Sequence, residues 1–404
     1  MIKIYRMSII KVIVGYMILN EFLLVLFNTS IYMKLFAIVS LLISGFFLVF
    51  LAYKNFYTLK RIHLYFKLLL LLLLIWSLLI IIRSIDMNIS NLTTLFFHNQ
   101  VGMWAWLTPL AIFIGLSITN WLKLFSFLWK FILLGTFFVF LGTVLEINLS
   151  VAAFLSSWPI FLLTHKYHSK KVLYILFISI LIFVIYRYFV MGSRSSVITL
   201  FLIFLFLIFD HLKNSYMTNR KIFISWALLF FGLFITLQMN SLYKEFNNNK
   251  DLSVDSRSFL FNEIFTDMTE NELLIGRGAL GKYYSPYFDK LKELDIEGGD
   301  AADRSISETG YLQLILKGGY IMLGLYLFIL IPAAYLGIFK SNNMISRMSG
   351  YIILHYIIMM ILIYPPGYKL SFIILWIAVG ASISPNIRAL RDADIVKIKN
   401  IHDG

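Results

Sequence analysis

The chain has no cysteine. Disulfides, thiolate metal sites and a cysteine nucleophile are therefore excluded. Charge is scarce as well: Asp, Glu, Lys and Arg make up 14% of 404 residues, against about 25% in a soluble domain. That deficit leaves too little polar surface to cover a water-soluble globule. No Walker loop, G-x-S-x-G elbow or H-E-x-x-H pair occurs. His98, His165, His168 and His355 are scattered without zinc-ligand spacing, and nothing implies a metal or any other cofactor. No A-x-A-like cleavage site trails the first apolar run, which follows Lys3, Arg6 and Lys11. That run reads as a retained span, not a removed signal.

What the chain does have is apolar length. Hydrophobic residues make up 60%, gathered into runs long enough to cross a hydrocarbon core of about 30 Å. Spans are expected near 8–27, 35–52, 65–82, 101–118, 123–145, 149–163, 172–190, 195–210, 222–240, 309–339, 350–364 and 369–384. Loop charges support this order. Alternate loops carry Lys54, Lys60, Arg61 and Lys67; Lys166, Lys170 and Lys171; Lys213, Arg220 and Lys221; Lys340 and Arg347; and Arg388, Arg391, Lys397 and Lys399. Lys and Arg mark the cytoplasmic side, so both termini are placed there. The expected fold is all-α, a polytopic membrane helix bundle of about 12 transmembrane helices. Residues 1–240 form its first nine spans, 241–308 a large, partly helical extracytoplasmic loop, and 309–404 three more spans and a short cytoplasmic tail.

The net charge of +14 could suggest a nucleic-acid partner, but its distribution argues otherwise. Residues 241–308 hold 14 acidic side chains against 8 basic ones, and the basic excess sits in short loops, where orientation explains it. The long loop carries helix signals. Asp255 or Ser256 can cap a helix through Arg257–Met268, with Phe261, Ile264, Phe265 and Met268 at helical spacing. Ser305-x-x-Glu308 reads as a capping box opening the next span. A small, mostly helical lid on the outer face is expected.

Four constellations can carry chemistry. Ser193, Arg194 and Ser195 follow Gly192 at the outer end of a span, two helical turns after Arg187. Arg187 can equally snorkel to headgroups, whereas Arg194 among hydroxyls suits an anion. Asp255-Ser256-Arg257 stands at an expected helix start, where free N–H groups and an arginine cradle a phosphate; an ordinary surface helix start with an incidental arginine is the plainer account. Leu273–Gly281 contains G-x-G-x-x-G without a surrounding βαβ unit, so it is read as a tight turn presenting Arg277 and not as a dinucleotide fingerprint. A turn serving structure alone fits equally well. Finally Arg304, Glu308, Tyr311, Lys317 and Gly318-Gly319 open the tenth span. There Glu308 and Tyr311 share a helix face, although a cap alone would explain Glu308. Glu21 within the first span is a pathway or packing candidate, and Asp300-x-x-Asp303 is a solvated loop before it is a cation site.

Taken together, Gly192–Ser196, Ser256–Glu263, Leu273–Gly278 and Glu308–Gly319 resemble the bacterial O-antigen ligase/polymerase (Wzy-type) family. The resemblance covers roughly residues 185–335; the first 180 match in hydropathy only. It implies a polymerase in the bacterial cytoplasmic membrane, with the large loop outside. Its substrate would be undecaprenyl-diphosphate-linked oligosaccharide, and a chain-length regulator protein is a partner it allows. Ligases of the family carry a His-(Asn/Ser/Gln) pair where this chain has Glu308-Thr309, which favours polymerisation over transfer to a lipid A core. Glu308 is then the candidate general base. Arg194, Arg257, Arg277 and Arg304 are candidates for the diphosphate, and Ser193, Ser195, Asp255 and Tyr311 for the substrate groove. A flippase for lipid-linked oligosaccharide and an O-antigen ligase remain alternatives.

Overall fold

A computed structural model of the chain describes residues 31–86, 88–124, 194–214, 258–293, 302–363 and 365–403, with isolated positions 15 and 178. The expected spans near 8–27, 149–163, 172–190 and 222–240, with Glu21 and Arg187, lie outside these residues, as does almost all of 123–145. The chain forms two compact units, one of residues 1–127 with 257–404 and one of 128–256. The first unit begins with α1 (Ile31–Asn55), α2 (Leu64–Ile82), α3 (Ile89–Phe97), α4 (Met103–Leu107), α5 (Ile112–Gly115) and α6 (Ile118–Leu124). In the second, α7 spans Arg194–Asn214. The first unit resumes with α8 (Ser258–Asp267), α9 (Glu270–Ile275), β1 (Tyr283–Tyr284), α10 (Pro286–Glu293), β2 (Asp303–Arg304), α11 (Gly310–Phe339), α12 (Met344–Leu362), α13 (Leu370–Ile383), α14 (Pro385–Ala389) and α15 (Asp392–Asp403).

The apolar helices behave as membrane helices should. In α2 a leucine run loses little side-chain freedom on becoming helical, and the His63 side chain caps it by accepting the Tyr65 N–H. Phe66, Leu70, Leu73, Ser77 and Ile80 form its buried face, while Leu68, Leu71, Leu72, Ile75, Leu78 and Leu79 lie exposed. A helix apolar on its outward face as well is suited to lipid. Among the described residues four helices are long and apolar enough to cross a membrane, or five if a bent pair counts as one. The protein is a helical membrane protein.

That bent pair, Met103–Gly115 with Ile118–Leu124, turns by 113°, where the sequence suggested a straight span over 101–118. Close packing on one side explains where it turns. A Cβ on Gly115 would meet the Ile377 carbonyl oxygen of α13 at 2.0 Å. The chain then re-enters a helix as the amides of Asn120 and Trp121 donate to the Ser117 carbonyl.

At the core, α11, α12 and α13 pack against one another, with Gly337 and Gly350 letting two backbones meet: a Cβ on Gly337 would lie 2.7 Å from the Gly350 Cα. Small residues at such crossings permit the close approach that membrane helices rely on. α11 has 30 residues, about 45 Å at 1.5 Å per residue, longer than one crossing needs. Its backbone breaks at Gly319 (φ 69°, ψ −172°). The part after the break is about 30 Å long, enough for one crossing, which sets Lys317 at the rim.

The segment before α11 folds as a lid. On α8 the buried stripe is Leu260, Ile264 and Met268, packed with Tyr283 on Leu312, Ile315 and Leu316 of α11. The sequence put Phe261 and Phe265 on that face; they are instead 38% and 37% exposed, because the i, i+4, i+8 stripe begins at Leu260. The capping box also moves. α11 starts at Gly310 with Thr309 as N-cap and no side-chain cap bond, since Asp303-Arg304 is drawn into β2. A true capping box, Thr269 with Glu272, opens α9.

Candidate functional site

Two glycine-rich stretches meet where the lid touches the bundle. α9 ends at Gly276 (φ 72°), and Gly278 is also at positive φ (82°), a region glycine enters without steric cost. The turn they make lies on the break in α11. The Arg277 N–H donates to the Leu316 carbonyl at 2.8 Å and the Gly278 N–H to the Lys317 carbonyl at 3.0 Å. In an unbroken helix residues 320 and 321 would serve those carbonyls. The Trp76 indole donates to the Gly318 carbonyl at 2.9 Å. Approach is close on both sides: a Cβ on Gly276 would fall 2.3 Å from the Lys317 carbonyl, and one on Gly319 would fall 2.1 Å from the Leu274 carbonyl oxygen.

The end of α2 fastens the same turn. Arg83 donates through Nη1 to the Ile275 carbonyl at 2.9 Å and through Nη2 to the Gly276 carbonyl at 2.7 Å. The Ala279 N–H reaches the Ile80 carbonyl, and the Leu280 N–H reaches the Ser84 hydroxyl. Sequence reading missed Trp76, Arg83 and Ser84, because it matched the first 180 residues by hydropathy alone. The signal was an arginine closing an apolar run.

Arg277 itself turns back into the lid. Its Nη1 reaches Asp267 Oδ2 at 2.5 Å, and its Nε reaches Glu272 Oε1 at 3.0 Å. Further bonds go from Nη2 to Glu272 and to the Asp267 carbonyl, and from Nη1 to the Lys282 carbonyl. The guanidinium holds the Glu272 carboxyl down to about 2, helped by the Thr269 N–H. Burial works against the Arg277 charge, but Glu272 and Asp267 outweigh it and hold its pKa up.

A second polar group lies where β1 and β2 pair, Tyr283 opposite Arg304. The Arg304 guanidinium lies over the Phe288 ring at 3.6 Å from the centroid, a cation–π arrangement. Burial pushes the Tyr283 phenol up to about 12; Arg304 opposes that rise, and Glu263 and Glu308 add to it. Those four side chains therefore share one electrostatic neighbourhood. Glu263 is oriented by the Ser285 hydroxyl at 2.7 Å and the Tyr287 N–H at 3.1 Å. Among the described residues, Tyr283 Oη, Arg304 Nη1 and Gln313 Nε2 are buried without a hydrogen-bond partner. Such groups are costly to bury and so mark a place where polar atoms of a ligand would be stabilised.

The other expected positions fall as follows. Glu308 is half-buried in the bend before α11 and not within it, so it does not share a helix face with Tyr311. Tyr311 donates its hydroxyl to the Ile357 carbonyl at 2.6 Å, tying α11 to α12. Arg194 and Ser195 open α7 in the other unit. Ser193, Asp255 and Arg257 lie outside the described residues. No three metal-ligating side chains cluster among the described residues.

No family model, curated protein or solved structure matches this chain. Function is therefore argued from the motifs and the geometry.

Proposed function

We propose that the protein is a bacterial cytoplasmic-membrane polymerase that joins oligosaccharide units carried on undecaprenyl diphosphate into a surface polysaccharide. The reading keeps about twelve spans, cytoplasmic termini and an outer lid, in line with the loop charges. One observation carries it: a lid fastened to two spans at the membrane rim brings Arg304, Tyr283 and Glu308 together, with buried donors left unpartnered.

In the reaction, the growing chain on its lipid diphosphate is the donor. A hydroxyl oxygen of the incoming unit attacks the anomeric carbon, and the bond from that carbon to the diphosphate breaks. The hydroxyl proton passes to the Glu308 carboxylate. Positioned general bases contribute about 10²–10⁴-fold. The diphosphate gains charge as it leaves, so fixed cations that meet it lower the barrier; Arg304 is placed to do so. The aromatic group of Phe259, Tyr287 and Phe288 beside Arg304 offers flat apolar surface to sugar rings.

Gel analysis of surface glycan tests the reading. A deletion strain complemented with Glu308→Gln is expected to carry single repeat units, while the wild-type gene restores the ladder. A full ladder from the deletion strain itself would end the proposal.

A further inference from the structure

Lys317 is fully buried. Its ammonium donates to the Gly281 carbonyl at 2.5 Å, and among the described residues it makes no ion pair. A buried charge is normally matched by an opposite one. Here the charges that bear on Lys317 and its neighbourhood have the same sign. Lys282 acts on Lys317, and Lys317 and Lys369 both act on His98. No described carboxylate bears on either Lys317 or His98. The nearby acids Asp267 and Glu272 are held by Arg277.

The geometry keeps these groups in place. The Lys317 carbonyl is bonded to Gly278, so the backbone beneath the ammonium is anchored from the lid. His98 accepts the Gln100 and Val101 N–H groups on Nδ1. The proton of the neutral ring is then on Nε2, which is a donor. The Tyr368 N–H donates to the Asn99 carbonyl at 2.6 Å, joining the loop before α13 to the His98 loop. Lys369 is the N-cap of α13, whose first turn adds the positive end of the helix dipole.

We propose that Lys282, Lys317, Lys369 and His98 form a seat for a diphosphate group. A diphosphate carries several negative charges and many acceptor oxygens, which match four convergent cationic or N–H donors better than a carboxylate would. Cations held against one another without an acid destabilise the empty fold and favour an anion. The seat deepens the functional reading above, since it supplies the leaving-group cations that Arg277, engaged with Asp267 and Glu272, does not. The proposal rests on that reading only for the carrier; the lysine seat itself concerns any diphosphate.

Full-length protein in phosphatidylcholine nanodiscs tests it by calorimetric titration with farnesyl diphosphate, inorganic diphosphate and, as a control, farnesol. Farnesyl diphosphate is expected to bind and farnesol not. Lys282→Ala and Lys317→Gln should each raise Kd about tenfold or more, as the loss of a charge-assisted bond implies. Lys282 is exposed, so its variant folds normally; Lys317→Arg should bind better than Lys317→Gln. Equal affinity for inorganic diphosphate assigns the seat to free diphosphate and supports it. Unchanged Kd in both lysine variants, or no binding of either diphosphate by the wild type, overturns the seat. Glycan gels then separate the two claims. A ladder lost on deletion but normal in both lysine variants sinks the seat alone, whereas a ladder that survives deletion sinks the functional reading.

Discussion

The Gly278 N–H bonds to the Lys317 carbonyl at 3.0 Å, so a turn in the lid completes a helix broken at Gly319. The lid is thereby part of the bundle's backbone hydrogen bonding and not merely laid on it.

Replacing Gly276 tests that bond pattern. Alanine there is strained at φ 72°, and its Cβ would meet the Lys317 backbone. We expect Gly276→Ala to cost about 2 kcal/mol or more. Hydrogen exchange should rise across 258–293 more than in α12. Protection equal to wild type would contradict the fastening role.

Arg83→Ala removes two charge-assisted bonds to carbonyls of the turn. Because Arg83 is exposed, the expected loss is about 1 kcal/mol. The expected signature is faster protease nicking of the lid, with the spans intact. An unchanged nicking rate would remove Arg83 from the account.

The Arg277 clasp predicts a pH dependence. Glu272 titrates near 2, below its ordinary 4.5, so the fold favours its ionised form. That contribution is complete above pH 4.5 and is lost as the pH falls towards 2. Wild type should exceed Glu272→Gln in Tm at about pH 6, and the gap should close by about pH 2. A gap independent of pH would show that the carboxylate charge is not what holds the lid.

Tyr283→Phe separates packing from chemistry. The hydroxyl is buried and unpartnered among the described residues, so removing it should leave stability unchanged or raise it by about 1 kcal/mol. Polymer length should nonetheless fall on a glycan gel. A stable variant with normal chains would make Tyr283 a packing residue only.

Much of the fold was legible because membrane crossing is read from apolar length, as in α2 and α11. The tight turn at Gly276–Gly278 was legible too, because glycines mark positive φ. What escaped depends on tertiary partners. Nothing local says that Arg277 would turn to Asp267, ten residues back, or that Gly318-Gly319 would receive that turn. Ser305 and Glu308 have capping-box spacing, yet the pairing of Arg304 with Tyr283 takes the chain out of helix there. Lys317 was noted beside the glycines, but His98 and Lys369 reach its neighbourhood from distant segments, which periodicity does not reveal.

The most direct test is reconstitution. Purified protein in liposomes is given undecaprenyl-diphosphate-linked repeat units on the face the lid occupies, and products are resolved by size. The account predicts a ladder of polymer with one undecaprenyl diphosphate released per linkage, abolished by Glu308→Gln. Movement of intact single units across the bilayer, with no ladder and no released diphosphate, would contradict it.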